Sequence, residues 1–289
     1  MRYPEIEHVK NNPELTGMAE VLPEVVFSRR ENLELAMTVI APWRPKGENV
    51  PVPRRPLIVF VQGSSWTTPR RGVELPQLSR FAQMGYVVAT VSHRDSTEGY
   101  AFPEYLKDVK CAIRFLRANA DEYGVDPTRV AIWGTSSGGN AALLAGLTGD
   151  APHFKTEEYA AFSDTVQVVV ECFGPANLPK MIFPEEYAPG SREEAIFTGL
   201  MGGRDIQTTL KQMSPVNYVI PGEAYPPFLI LQGDADPIVP YEQSLEMFHT
   251  LVDAGVDARM ICVDGAPHEG NFWSWALLEK IQAFLREKL

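Results

Sequence analysis

The sequence predicts an α/β protein built on a mostly parallel sheet with helices on both faces. Three observations lead there. Short runs that are apolar throughout, rather than alternating, recur along the chain, as strands buried on both faces require. Segments with helical spacing of apolar residues separate them. The composition, 45% apolar and 22% charged, is that of an ordinary globular domain.

The elements follow in order. The entry region places strands at about Glu24–Ser28 and Leu33–Ile40, and the Pro-rich, polar stretch Ala41 to Arg55 reads as a loop. Pro56–Val61 is a β-branched run that stops before Gly63. Glu74–Met84 has the pattern of a helix, and Tyr86–Val91 is a second buried strand. From Tyr105 to Ala120 apolar residues fall at Leu106, Val109, Ile113 and Leu116, the spacing of an amphipathic helix. Its charges, Lys107, Lys110, Arg114 and Arg117, lie mostly on the other side. Asp126-Pro127 marks a turn before the strand Arg129–Trp133, and Gly138–Leu147 is a helix of small residues. Val166–Phe173, Phe228–Gln232 and Ala258–Val263 complete the strands, with helices at about Tyr241–Ala254 and Asn271–Leu289. One domain spans 1–289. Residues 176–225 are too long for a tight connection and read as a cap or lid inserted over the sheet.

The totals exclude some functions. A net charge of -11 argues against a nucleic-acid partner, which needs clustered Lys and Arg. Cys111, Cys172 and Cys262 are sparse and odd in number, so they form no disulfide framework, and they show no metal spacing. Cys172 and Cys262 sit in apolar runs and read as buried thiols. Met1 to Glu7 lacks the apolar stretch of a leader, and no run is long enough to cross a membrane. The default compartment is the cytoplasm.

Gly134-Thr135-Ser136-Ser137-Gly138 matches G-x-S-x-G. It follows a buried strand and opens a small-residue helix, the setting of a nucleophile elbow. The sharp turn strains the serine backbone, so the flanking positions must be tiny. It also aims the hydroxyl off the strand end and puts the next N–H at a helix N-terminus. The plainer alternative is a Gly-rich turn or phosphate loop, but no Lys follows as in a Walker loop and the dinucleotide fingerprint is absent. Ser137 lacks correctly placed flanking glycines.

A serine hydroxyl needs a base, and the base needs an orienting carboxylate. His8 lies in the N-terminal stretch, His153 in a polar loop and His249 within a helix. His93 follows a buried strand and competes, but it precedes the serine. His268 lies in a loop after the last strand, as the order Ser–acid–His requires. The acid ends the penultimate strand, where Asp234 and Asp236 both stand. Either could instead serve a turn hydrogen bond.

With these pieces, and with Val59-Phe60-Val61-Gln62-Gly63-Ser64-Ser65-Trp66, Gly124-Val125-Asp126-Pro127 and Gly233–Pro240, the chain resembles the α/β-hydrolase superfamily from about Pro56 onward. The likeness is to its esterase/lipase branch of hormone-sensitive-lipase-like and feruloyl-esterase-like bacterial carboxylesterases. The resemblance implies an α/β-hydrolase fold, a triad of Ser136, Asp236 and His268, and oxyanion donors at the backbone of Ser64, Ser65 and Ser137. Trp66 would line the acyl or alcohol pocket. Tyr100, Phe102, Tyr187, Phe197, Phe272, Trp273 and Trp275 could line it or simply pack. The family's usual His-Gly-Gly is here Gln62-Gly63-Ser64, and Gln62 could hold the loop through its amide. The implied reaction is hydrolysis of short-chain acyl esters, acetyl and feruloyl esters of carbohydrates among them, without cofactor or metal. The expected partner is a small-molecule or oligosaccharide ester, with no nucleic acid and no membrane, and a homodimer is compatible. A peptidase of the prolyl-oligopeptidase type and a non-catalytic binding protein on the same fold are the alternatives.

Overall fold

A computed structural model describes residues 6–30, 33–44, 53–182 and 187–289. An eight-stranded sheet runs through it. The strands are β1 (Ala19–Arg30), β2 (Leu33–Pro42), β3 (Arg55–Val61), β4 (Val87–Val91), β5 (Val125–Thr135), β6 (Val168–Cys172), β7 (Phe228–Gly233) and β8 (Ala258–Val263). Their order is β1-β2-β4-β3-β5-β6-β7-β8. The first two join antiparallel, and all pairs from β4 to β8 are parallel. The expected α/β-hydrolase architecture is therefore present.

Helices cover both faces. α1 (Leu75–Gln83) and α8 (Trp275–Lys288) pack on one face with Phe60, Trp133 and Leu231. On the other lie α2 (Glu104–Ala118), α4 (Ser137–Leu147) and α7 (Tyr241–Asp253), with Val59, Ile132 and Ile230. The short α3 (Ala120–Tyr123) leads into β5. Neighbouring strand residues such as Ile132 and Trp133 thus point into different clusters, and this double burial is why the strands carry no polar alternation.

Within 176–225, α5 (Arg192–Met201) and α6 (Ile206–Gln212) form, each N-capped by a side chain: Ser191 accepts from the Glu194 N–H and Asp205 from that of Thr208. Ile196, Phe197, Leu200 and Leu210 join the α2/α4 cluster. At Gly199 a Cβ would lie 2.0 Å from the Ser96 carbonyl oxygen, so only glycine lets α5 dock on that loop.

Several expectations change. β1 starts at Ala19 and β2 ends at Pro42, while most of the expected loop, 45–52, falls outside the described residues. The Asp126-Pro127 turn is an irregularity inside β5, where the register jumps from Arg55–Val125 to Leu57–Val130. The polar side of α2 is not solvated. Lys110 and Arg114 are buried, 2.7 and 2.8 Å from the Asp164 carboxylate, and Arg117 donates to the Ser163 carbonyl. The segment between α4 and β6 lies over them. Cys262 is exposed because β8 is an edge strand, whereas Cys111 and Cys172 are buried.

Candidate active site

The strand order sets where a crevice opens. From β3 the chain passes to β4 on one side and then crosses to β5 on the other. The C-terminal ends of β3 and β5 therefore diverge, the usual ligand position in open α/β sheets.

The loop after β5 is a tight elbow. Ser136 has φ 52° and ψ −125°, a strained conformation for a residue with a Cβ. Its neighbours show why glycine flanks it. A Cβ at Gly134 would sit 1.9 Å from the Gly138 carbonyl oxygen, and one at Gly138 would sit 2.0 Å from that of Val61. The Ser136 N–H donates to the Cys172 carbonyl at 2.9 Å, tying the turn to β6.

His268, in the loop after β8, places Nε2 3.0 Å from Ser136 Oγ. Its Nδ1 lies 2.7 Å from Oδ2 of Asp236, in the loop after β7. The Asp236 side chain is closed to solvent and His268 nearly so, at 0% and 10% exposure. Oδ1 of Asp236 accepts the N–H groups of Ile238 and Val239 at 2.8 and 3.0 Å, and Oδ2 also accepts from the Gln232 amide at 3.1 Å. Burial by itself raises this carboxyl, but the bonds from His268 and the two N–H groups outweigh it and hold the pKa below the usual carboxylate value. Phe173 packs its ring 4.7 Å from the imidazole, fixing the ring plane.

The other candidates sit elsewhere. Asp234 is exposed and accepts the Gly265 N–H, a turn bond. His93 is buried with Nδ1 on the Arg94 carbonyl, and burial lowers its pKa. His8, His153 and His249 are exposed.

The loop after β3 faces the elbow and is held to it. The Gly63 N–H donates to Thr135 Oγ1 at 2.8 Å, and the Ser64 N–H to Ser137 Oγ at 2.9 Å. Of the three backbone groups expected as oxyanion donors, Ser64 is thus already engaged. The N–H groups of Ser65 and Ser137 have no acceptor among the described residues. Ser65 adopts φ 55° and Trp66 φ 58°. This pair turns Trp66 away from the crevice. Only 7% exposed, it packs 6.4 Å from Tyr105 and does not line the cleft, contrary to expectation. Gln62 does brace the loop: its Oε1 accepts the Arg70 N–H and its Nε2 donates to Glu74.

A cleft of about 410 Å3 opens over these groups, lined by Ser64, Ser65, Ser136, His268, Ile238 and Arg192 of α5, among others. None of the seven aromatics named above lines it. Phe272 is core, Trp275 is exposed beneath Arg80, and Trp273 lines a neighbouring cavity. Sequence reasoning missed Thr135, Phe173, Gln232 and Glu74. Only Thr135, inside the elbow motif, had a local signal. Among the described residues, Asp234, Cys262 and Asp264 bring ligand atoms within 4.8 Å of one another, all on the surface. No helix among them is long and apolar enough to cross a membrane.

Residues 44–251 match the BD-FAE family model. The esterase LipC of Mycobacterium tuberculosis is 30% identical over 210 residues, 70% of this chain and 49% of LipC. Esterase LipQ of the same organism is 31% identical over 222 residues, 74% of this chain and 49% of LipQ. The chain thus spans about half the length of these relatives. Among solved structures, a truncated carbohydrate esterase from gut microbiota superposes with TM-score 0.76 at 25% identity, covering 96% of this chain and 99% of that one. Butyrate-bound esterase 2 of Thermogutta terrifontis superposes with TM-score 0.73 at 26% identity, covering 95% of each. With a family model matching well over half its length and esterases as its neighbours in both sequence and structure, the chain belongs to the BD-FAE family of α/β-hydrolase-fold proteins.

Proposed function

We propose that the protein is a serine carboxylic-ester hydrolase acting through an acyl-enzyme. One observation carries the reading: a continuous Ser136–His268–Asp236 chain of hydrogen bonds, 3.0 and 2.7 Å long, on a strained elbow inside a cleft. The required tautomer has its hydrogen on Nδ1, donated to Asp236, leaving Nε2 to accept the Ser136 hydroxyl. His268 takes that proton as Oγ bonds to the ester carbonyl carbon. The carbonyl oxygen becomes an anion facing the N–H groups of Ser65 and Ser137, the latter at the start of α4. The carbon–alkoxy bond then breaks and the leaving oxygen receives the proton from His268. Water, deprotonated by the same imidazole, releases the acid and restores Ser136. The serine proton leaves with the alcohol and water supplies its replacement through His268, so the cycle asks for no cofactor.

Short acyl esters suit the cleft. Its floor is polar and serine-rich, and one structural neighbour was solved with butyrate. A carbohydrate esterase among the neighbours supports carbohydrate esters as the natural class, acetyl and feruloyl esters included. Residues 176–225 act as a cap, with Arg192 of α5 at the cleft rim. Three unpaired thiols fit a reducing, cytoplasmic setting.

The test is hydrolysis of p-nitrophenyl acetate, butyrate and octanoate by the protein and by Ser136→Ala, with fluorophosphonate labelling of both. Activity on the short esters, falling on the order of 10^4-fold or more in the variant, is expected. No turnover above the variant and no label on Ser136 would leave a non-catalytic binding protein in its place.

A further inference from the structure

Beside the cleft lies a second cavity that the ester chemistry does not use. It is smaller, about 260 Å3, and more enclosed. Phe60 and Trp133 line it from the sheet, Glu74 and Gln77 from the start of α1, and Glu269 and Trp273 from the segment after His268. Val73 and Glu269 border both spaces, so the two adjoin.

Its chemistry is aromatic and acidic. Trp133 stands edge-on to Phe60 at 5.3 Å and lies 6.1 Å from Trp273. No lysine or arginine lines it, while two carboxylates do. Glu74 holds one weak bond, from the Gln62 amide at 3.3 Å. Its Oε2, and Oε1 of Gln77, are shielded from water and have no partner among the described residues. Burial pushes the Glu74 carboxyl up to about 7, with the Gln62 bond and Arg70 opposing and the nearby Glu269 adding to the rise. Above that pH a negative charge sits in a poorly solvated, aromatic-walled space, which a positive ligand would relieve. A bare metal ion would leave most of the volume empty and would find aromatic rings where oxygen ligands are needed.

We propose that this cavity binds a small organic ammonium ion, with Glu74 as counter-ion, Glu269 as a second negative charge, and Phe60, Trp133 and Trp273 as walls. The site stands independently of ester hydrolysis, so the two readings fail separately. The experiment is calorimetric titration of the protein at about pH 8 and low salt with benzyltrimethylammonium and with neopentylbenzene, its uncharged isostere. The cation is expected to bind about ten-fold or more tightly than the isostere. That preference should shrink at about pH 6, where Glu74 is protonated, and shrink as much in Glu74→Gln, where Glu269 and the rings remain. Equal affinities would make the cavity merely apolar, and absence of saturable cation binding would make it no site at all; either overturns the proposal. A preference retained in full by Glu74→Gln would also overturn it, by putting the cation elsewhere. The comparison of the two ligands on the unmodified protein holds even if the variant folds poorly.

Discussion

Gly63→Ala isolates the geometry of the loop that faces Ser136, the proposed nucleophile. A Cβ at Gly63 would lie 2.6 Å from Ser136 Cβ and 2.9 Å from the Thr135 carbonyl oxygen. Carbon atoms in contact normally stand about 3.5–4.0 Å apart, so the loop and elbow must part by roughly 1 Å. Neither wall is a flexible side-chain end: one is the Cβ of Ser136, the other backbone. The bonds from Gly63 N–H to Thr135 Oγ1 and from Ser64 N–H to Ser137 Oγ would lengthen together. A misplacement of about 1 Å costs on the order of 10^2-fold in rate when it separates reacting groups from their stabilisers. We expect kcat/KM on p-nitrophenyl acetate to fall by about that factor, mainly through kcat, with a loss of stability of about 1–3 kcal/mol that leaves the protein folded at assay temperature. Gly72→Ala is the control, since nothing lies within 4 Å of its added Cβ. Gly63→Ala activity within about three-fold of the control would refute the close packing of loop on elbow as a requirement for catalysis.

Other residues give sharp expectations. Asp236→Asn keeps the shape but replaces the acceptor facing His268 Nδ1 with a donor in one amide orientation, and kcat should drop by roughly 10^4-fold with KM nearly unchanged, as steady-state kinetics would report. Glu171 on β6 is wholly buried, and burial, partly offset by the Gly174 N–H, pushes its carboxyl from 4.5 up to about 8. The folded state thus keeps a proton that the unfolded chain releases above 4.5, and stability is lost as pH rises from there to about 8. Glu171→Gln should remove that slope and stabilise the protein at about pH 9 by up to roughly 5 kcal/mol, while urea denaturation at about pH 4 finds the two chains closely matched. Asp164→Asn leaves Lys110 and Arg114 buried without their counter-charge and should destabilise the fold by about 3–5 kcal/mol in the same assay.

What could be read from the sequence, and what could not, divides along local and non-local physics. Buried parallel strands announce themselves because apolar runs such as Leu57–Val61 have no other stable use, and the sheet follows from their alternation with helices. The elbow is legible because its steric demand falls within five adjacent residues. Trp66 was misplaced because the positive φ at Ser65 and Trp66 leaves no mark in residue type. The burial of Lys110 and Arg114 left no local mark, because their partner, Asp164, lies 50 residues beyond Arg114. Cys262 looked buried because an apolar run does not reveal that its strand ends the sheet. Glu74, held by Gln62 from another loop, carried no signal at all.

The proposed triad is assembled from parts far apart along the chain. His268 lies 132 residues beyond Ser136 and 32 beyond Asp236, and each sits past the end of a different strand. During folding, the elbow can form once β5 has paired with β3 and β6, but its serine then has no base. The imidazole reaches the serine only where β7 and the edge strand β8 are also in place. Contacts between residues so far apart carry a loop-closure cost, which the packing of three separate strands has to offset before the three side chains meet. The proposed site is thus a property of the whole sheet rather than of the elbow motif alone.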